Sequence, residues 1–302
     1  MPCVIIAGGH NEGRLDSIEV IWNSKLSKTK IQLPKLPDKI NHCSLFLHNG
    51  SLMVCGGYDN SYKKAFTKKC FQLDKGKWKQ HSTLKHKRVG AKAVSTDKGT
   101  FLFGGSLSKM TYEFLPNNPH AKKWRIGINQ IPEGFIDGCA IEVKSKQQIW
   151  LIGGMLGPLC GSGYRNRILV FDINSETFQE LPSKLNTARE SHTCAFIPGT
   201  NKILVAGGFS WRYRYDDTTE IIDIEDGSVT MGGSLNIGRV GHGMGTIMVN
   251  GEERLAVFGG VDGNRNANSS VELYNAKTDQ WETADFTLNE KNCNFACVTV
   301  KK

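Results

Sequence analysis

Three arginines stand at matching places in this 302-residue chain: Arg88 in Arg88-Val89-Gly90, Arg189 in Arg189-Glu190-Ser191-His192 and Arg239 in Arg239-Val240-Gly241. A guanidinium is a planar fork of five donors that grips a carboxylate through two of them. The chemistry on offer is capture of an acidic ligand; a salt bridge or a carbonyl cap inside a turn uses the same atoms equally well. His192 and His242 each follow one of these arginines by three residues, and His42, like them, opens a first strand. A metal or proton-transfer centre would need them to converge. They recur at spaced intervals instead, so a turn or packing role is expected and no metal or cofactor.

A second set combines aromatic rings with arginine. It comprises His10; Tyr58; Tyr164 and Arg165; and the run Phe209-Ser210-Trp211-Arg212-Tyr213-Arg214-Tyr215. Exposed aromatics interleaved with arginine are the composition of interaction hot spots. Segment 209–215 is expected either to bind a partner or to form a hairpin with alternate side chains packed inward.

These residues are positioned by a repeat. Six apolar runs end in a glycine pair: Gly8-Gly9, Gly56-Gly57, Gly104-Gly105, Gly153-Gly154, Gly207-Gly208 and Gly259-Gly260. Successive first glycines are 48, 48, 49, 54 and 52 residues apart. A period near fifty with fixed punctuation is one supersecondary unit repeated. After each pair come a polar loop, a β-rich run, a turn rich in Asp, Asn, Gly and Lys, and in most repeats a run opening on a large apolar residue (Trp78, Trp124, Phe178, Trp281). Each repeat reads as a four-stranded antiparallel meander. Glycine weakens a strand, so six pairs in register imply positive φ or close backbone approach between neighbouring sheets.

The glycine pair, the Glu272-Leu273-Tyr274 strand, the turn and Trp281 resemble the Kelch repeat, and the resemblance covers the whole chain. Repeat five carries Val229 where the Trp is expected, and repeat three is irregular after Met110. The resemblance implies an all-β, six-bladed propeller occupying residues 1–302 as a single domain. The chain opens in a second strand and ends in an orphan strand, FACVTVKK. Residues around 294–300 are therefore expected to pair beside Val4–Ala7 and close the ring, which leaves only short, protected edges. Ser44, Ala93, Cys139, Cys194, Met244 and Ala296 are expected to crowd the axis.

In Kelch-like substrate adaptors of ubiquitin ligases, Arg-x-Gly arginines in this loop hold acidic degron peptides, and the residue after the glycine pair is another contact. Arg88 and Arg239 match the first feature and Tyr58 the second; His10, Ser106, Met155, Phe209 and Val261 occupy the other post-glycine places without matching in type. Kelch-like propellers also include copper radical oxidases, sialic-acid mutarotases and iron-dependent specifier proteins. Their ligand sets are not met here: the specifier spacing runs from Glu12 and Asp16 into Val20 where a histidine is needed. No nucleophile elbow, phosphate loop or zinc spacing occurs.

Net charge is +9, divided unevenly: residues 1–150 hold 24 Lys+Arg against 11 Asp+Glu, and residues 151–302 hold 14 against 18. One side of the disc is expected to be basic, suiting an acidic partner. No motif that reads bases is present. No run is long enough to span a bilayer, and no cleavable signal pattern is seen. The nine cysteines are odd in number, and several, Cys139 and Cys194 among them, sit inside apolar runs. Reduced, buried thiols and a cytoplasmic location are expected. The expected function is a non-enzymatic, monomeric interaction domain for an acidic protein or peptide. Actin binding is the alternative, and a sugar-active enzyme the third reading.

Overall fold

The computed structural model describes residues 1–22, 32–59, 66–105, 110–118, 123–157 and 163–301. Six antiparallel sheets follow one another along the chain. The first joins β1 (Cys3–Ala7) and β2 (Ile18–Ile21) to the last strand, β23 (Ala296–Val300). The second holds β3 (Ser44–His48), β4 (Ser51–Cys55), β5 (Cys70–Asp74) and β6 (Lys77–Gln80). The third holds β7 (Lys92–Thr96), β8 (Gly99–Phe103), β9 (Tyr112–Pro116) and the short β10 (Arg125–Ile126). The fourth holds β11 (Cys139–Val143), β12 (Gln148–Met155), β13 (Tyr164–Asp172) and β14 (Phe178–Glu180). The fifth holds β15 (Thr193–Phe196), β16 (Lys202–Ala206), β17 (Thr219–Asp223) and β18 (Val229–Gly232). The sixth holds β19 (Gly243–Val249), β20 (Glu252–Phe258), β21 (Ser270–Asn275) and β22 (Gln280–Thr287).

The innermost strands β23, β3, β7, β11, β15 and β19 touch in sequence, and β19 returns to β23. This is a closed six-bladed propeller. The expected closure holds in detail: Cys3 faces Val300, Ile5 faces Val298 and Ala7 faces Ala296. Six apolar clusters lie one at each blade–blade interface. The strands are therefore apolar on both faces, because each blade is packed on two sides. Among the described residues no helix is long and apolar enough to cross a membrane.

The glycine pairs join the blades. First glycines have φ between 58° and 67°, second glycines between 69° and 111°. The second glycine's N–H donates to a carbonyl in the loop entering the next blade: Gly9 to Ile40, Gly57 to Arg88, Gly105 to Phe135, Gly154 to Arg189, Gly208 to Arg239 and Gly260 to Asn292, all at 2.7–2.9 Å. A Cβ on Gly104 would stand 1.7 Å from the carbonyl oxygen of Phe135. No side chain fits there, which is why the pair recurs.

Two expectations are corrected. Cys139 is bonded to Cys194 and Cys55 to Cys70, whereas among the described residues Cys43, Cys293 and Cys297 are free. Apolar sequence context reports burial of a cysteine; pairing depends on a neighbour 15 or 55 residues away. The argument for a reducing compartment loses its premise. Ala93, Cys194 and Met244 line the channel as expected, but their equivalence to Ser44, Cys139 and Ala296 is off by one residue. Pairing with the residue before each glycine pair shows the equivalent layer to be Ser44, Lys92, Cys139, Thr193, Gly243 and Ala296.

Candidate functional site

The strand-2-to-3 and strand-4-to-1 loops meet around the channel mouth. Six residues there, one per blade, form a closed collar of backbone hydrogen bonds. His42 N–H donates to Asn294, Gly90 to His42, Asp137 to Gly90, Ser191 to Asp137, Gly241 to Ser191 and Asn294 to Gly241, at 2.6–3.0 Å. All six have φ between 49° and 67°. Left-handed backbone strongly favours Gly and, among side chains, tolerates Asn, Asp and His best, and these supply five of the six positions. Across the mouth His42 Nδ1 lies 3.5 Å from Asp137 Oδ1. Asp137 is held below the usual carboxylate range by His42, with a smaller contribution from Lys92, against the opposing effect of its burial. Glu190, one residue before the collar, is pushed up to about 7 by burial and by the Asp137 charge.

Arg88, Arg189 and Arg239 each stand two residues before a collar position, and their side chains do not reach the mouth. Their relative exposures are 1%, 0% and 0%. Each turns into its own blade against a glutamate on the third strand: Arg88 Nε to Glu113 at 3.0 Å, Arg189 Nη2 to Glu220 at 2.9 Å, Arg239 Nη2 to Glu272 at 2.6 Å. Each also donates Nη1 to the carbonyl of the first glycine of its pair, Gly104, Gly207 or Gly259. The glutamates in turn accept backbone N–H groups, Lys85 and His86 on Glu113, Asn236 and Ile237 on Glu272. Burial pulls the Arg88 and Arg239 pKa down, opposed by the paired glutamate. The salt bridge and carbonyl cap thus hold these arginines inside their blades, the alternative use of the same atoms, although among the described residues Arg189 Nε is left without a hydrogen bond. In blades two and four the same two places hold the apolar pairs Ile40/Phe71 and Phe135/Leu169, so the device is a structural post that hydrophobic packing replaces.

The histidines are also committed to the fold. His192 Nε2 donates to the carbonyl of Ile152 at 3.1 Å, and His242 Nε2 lies 2.8 Å from Thr193 Oγ1. Burial, followed by the nearby Arg239, lowers His242 to about 3, and burial with Arg189 lowers His192 well below its usual value. Both are neutral packing groups. Among the described residues no three His, Cys, Asp or Glu side chains gather as a metal site.

What stands exposed on the loop face is the aromatic set. Each post-glycine residue described as a bridge sits beside its collar strand: His10 pairs with Cys293, Tyr58 with Asn41, Met155 with Ile136, Phe209 with Glu190 and Val261 with Val240. Ser106 lies outside the described residues. Phe209 starts a compact turn, not a hairpin. Ser210, buried, accepts the Arg214 N–H through its carbonyl and the Tyr213 N–H through Oγ. Buried Asp216 ends it, accepting the Thr218 N–H at 2.9 Å and lying 3.7 Å from Arg189 Nη1. Residues 211–214 project outward. Trp211 is 76% exposed, its ring 5.2 Å from Tyr164, which also packs edge-on against Phe209 at 5.6 Å. Burial and Glu190 raise the Tyr164 phenol. Arg212 lies over the Tyr213 ring at 5.2 Å, and among the described residues neither Arg212 nor Arg214 pairs with a carboxylate. Arg165 differs: its Nε is 3.2 Å from Glu133 Oε2, so it belongs to an internal pair. On the opposite sector Tyr58 packs on Phe66 at 4.7 Å beneath Arg14, and the His10 side chain is exposed.

Comparison with known proteins agrees with this architecture. Residues 250–284, which contain β20, β21 and the first part of β22, match the Kelch motif. Alpha-scruin of Limulus polyphemus is 24% identical over 174 residues, covering 56% of this chain and 19% of that protein. The chain thus corresponds to about a fifth of the length of the curated relative it matches. Six blades hinged on glycine pairs, three-stranded in the first and four-stranded in the other five among the described residues, together with these matches, make the chain similar to the Kelch-repeat β-propellers.

Proposed function

We propose that this propeller is a non-enzymatic platform that binds a partner polypeptide across the loop face of blades four and five. The observation that carries the reading is Trp211, 76% exposed and packed at a tilt against Tyr164. A large ring held outward on a rigid turn gives contact area at low entropic cost, the usual anatomy of a hot spot. Arg212 and Arg214 flank it, so acidic side chains of the partner are the complementary chemistry. The anchoring role first expected of Arg88, Arg189 and Arg239 passes to these exposed arginines.

The charge division between the chain halves favours a second surface, the lysine-rich side of blades two and three, as the seat of an actin-like or other polyanionic partner. One experiment separates the two. The propeller, a Trp211→Ala/Arg212→Ala variant and a Lys85→Ala/Lys87→Ala variant are used side by side in affinity capture, with actin co-sedimentation in parallel. Loss of the captured protein with the first variant alone supports the aromatic face. Loss with the lysine variant alone transfers the function to the basic sector.

A further inference from the structure

We propose that the central channel is a binding site for an organic carboxylate with an apolar stem, whose carboxylate rests on Lys92. Three chambers lie along the axis. A mouth chamber of about 40 Å³ under the collar and a middle chamber of about 170 Å³ share Lys92, His192, His242 and Phe295 among their walls. The middle chamber in turn shares Leu45, Ala93, Ala140, Cys194, Met244 and Cys297 with a funnel of about 680 Å³ at the other end. The three form one passage, and its wide end is within the size range of small-molecule sites.

Lys92 is the one charged side chain among the residues lining the middle chamber. The positions equivalent to it in the other blades are Ser44, Cys139, Thr193, Gly243 and Ala296, all small, which leaves the lysine room to reach the axis. Its charge is felt by Cys43, Asp137, His192, His242 and Cys297, on five other blades, which places the ammonium near the centre of the ring. The two chamber imidazoles are neutral and add no positive charge of their own. Asp137 stands at the mouth facing His42, and among the described residues no carboxylate oxygen lies within 4.0 Å of the Lys92 ammonium. The ammonium thus has no direct carboxylate partner in the channel, Asp137 acting on it only at longer range, and an entering anion supplies one.

The funnel selects what carries the anion. Leu45, Val94, Ile141, Ala195 and Val298 line it. Its acids do not offer a competing partner for Lys92: Glu253 pairs with Lys301 at 3.0 Å at the rim, and the Glu142 carboxyl is raised by burial in the wall. An apolar stem therefore fits the funnel while its carboxylate reaches the lysine. This site is separate from the aromatic loop face, and either assignment can fail alone.

The test is calorimetric titration of the full chain with hexanoate, 1-hexanol and inorganic phosphate. Hexanoate is expected to bind saturably at one site, with hexanol and phosphate weaker by about tenfold or more. Lys92→Met should weaken hexanoate by a similar factor, and Lys92→Arg should restore binding, which guards against a folding defect in the first variant. If hexanoate fails to bind, if hexanol or phosphate binds equally, or if Lys92→Met binds as the native protein does, the site is not what we infer. Once a protein partner is in hand, competition by hexanoate would assign the carboxylate to a partner's acidic side chain. Lack of competition would assign it to a free small carboxylate.

Discussion

Arg239 Nη2 meets Glu272 Oε1 at 2.6 Å, with both side chains fully buried. The guanidinium also reaches the Gly259 carbonyl at 2.7 Å, and the backbone carbonyl of Arg239 receives the N–H of Gly208 from the preceding blade at 2.9 Å. One residue thus ties its own third strand, its own glycine pair and the neighbouring blade together.

Removing one partner of that pair leaves a buried charge unmatched. Arg239→Ala is expected to cost about 3–5 kcal/mol of stability, and Arg239→Met with Glu272→Leu much less, since apolar pairs fill the same places in blades two and four. Denaturant melts of both variants check this. Equal losses would show that the charge itself is needed.

The last strand seals the ring. Deleting residues 294–302 removes β23 and the Asn294 link of the collar. Blade interfaces contribute additively, so the loss should be several kcal/mol, a large share of a typical margin of about 5–15 kcal/mol. A truncated chain that melts with the full one would mean the ring closes without it.

Four of the nine cysteines are held in the two disulfides, so at most five thiols remain. Thiol titration of the denatured, unreduced protein should find no more than five, and of the native protein fewer, because burial pushes Cys43 and Cys297 up to about 12. Nine on denaturation would mean that both pairs are dithiols.

Glu190, raised from 4.5 to about 7, binds its proton more tightly folded than unfolded. Its contribution is therefore fully present below about pH 4.5 and is lost as pH rises through 7. After allowance for solvent screening this is about 1–2 kcal/mol. Glu190→Gln should flatten the decline between pH 5 and pH 8, measured by thermal unfolding; an unchanged slope would place its cause elsewhere.

Much of the fold was readable because periodic glycine pairs answer to a backbone requirement that no other residue meets, and a requirement of that kind repeats wherever the geometry repeats. The register at the axis was less readable. Loops of differing length enter each blade, and counting from the arginine misplaced Ala93, Cys194 and Met244 by one residue. The arginines were found but their direction was not, because Glu113, Glu220 and Glu272 lie 25, 31 and 33 residues downstream. The collar gave a faint signal, a Gly, Asn, Asp, His or Ser two residues after each arginine or its equivalent. Lys92 had none, since one lysine in a strand looks like any solvated face.

The central claim rests on Trp211. Once a captured partner is in hand, its dissociation constant for the native propeller and for Trp211→Ala is the most direct measurement, with thermal unfolding as control. The account predicts binding weaker by about 2 kcal/mol or more, roughly thirtyfold, with stability changed by no more than about 0.5 kcal/mol because the ring is exposed. Unchanged affinity for Trp211→Ala, together with loss on Lys85→Ala/Lys87→Ala, would contradict it.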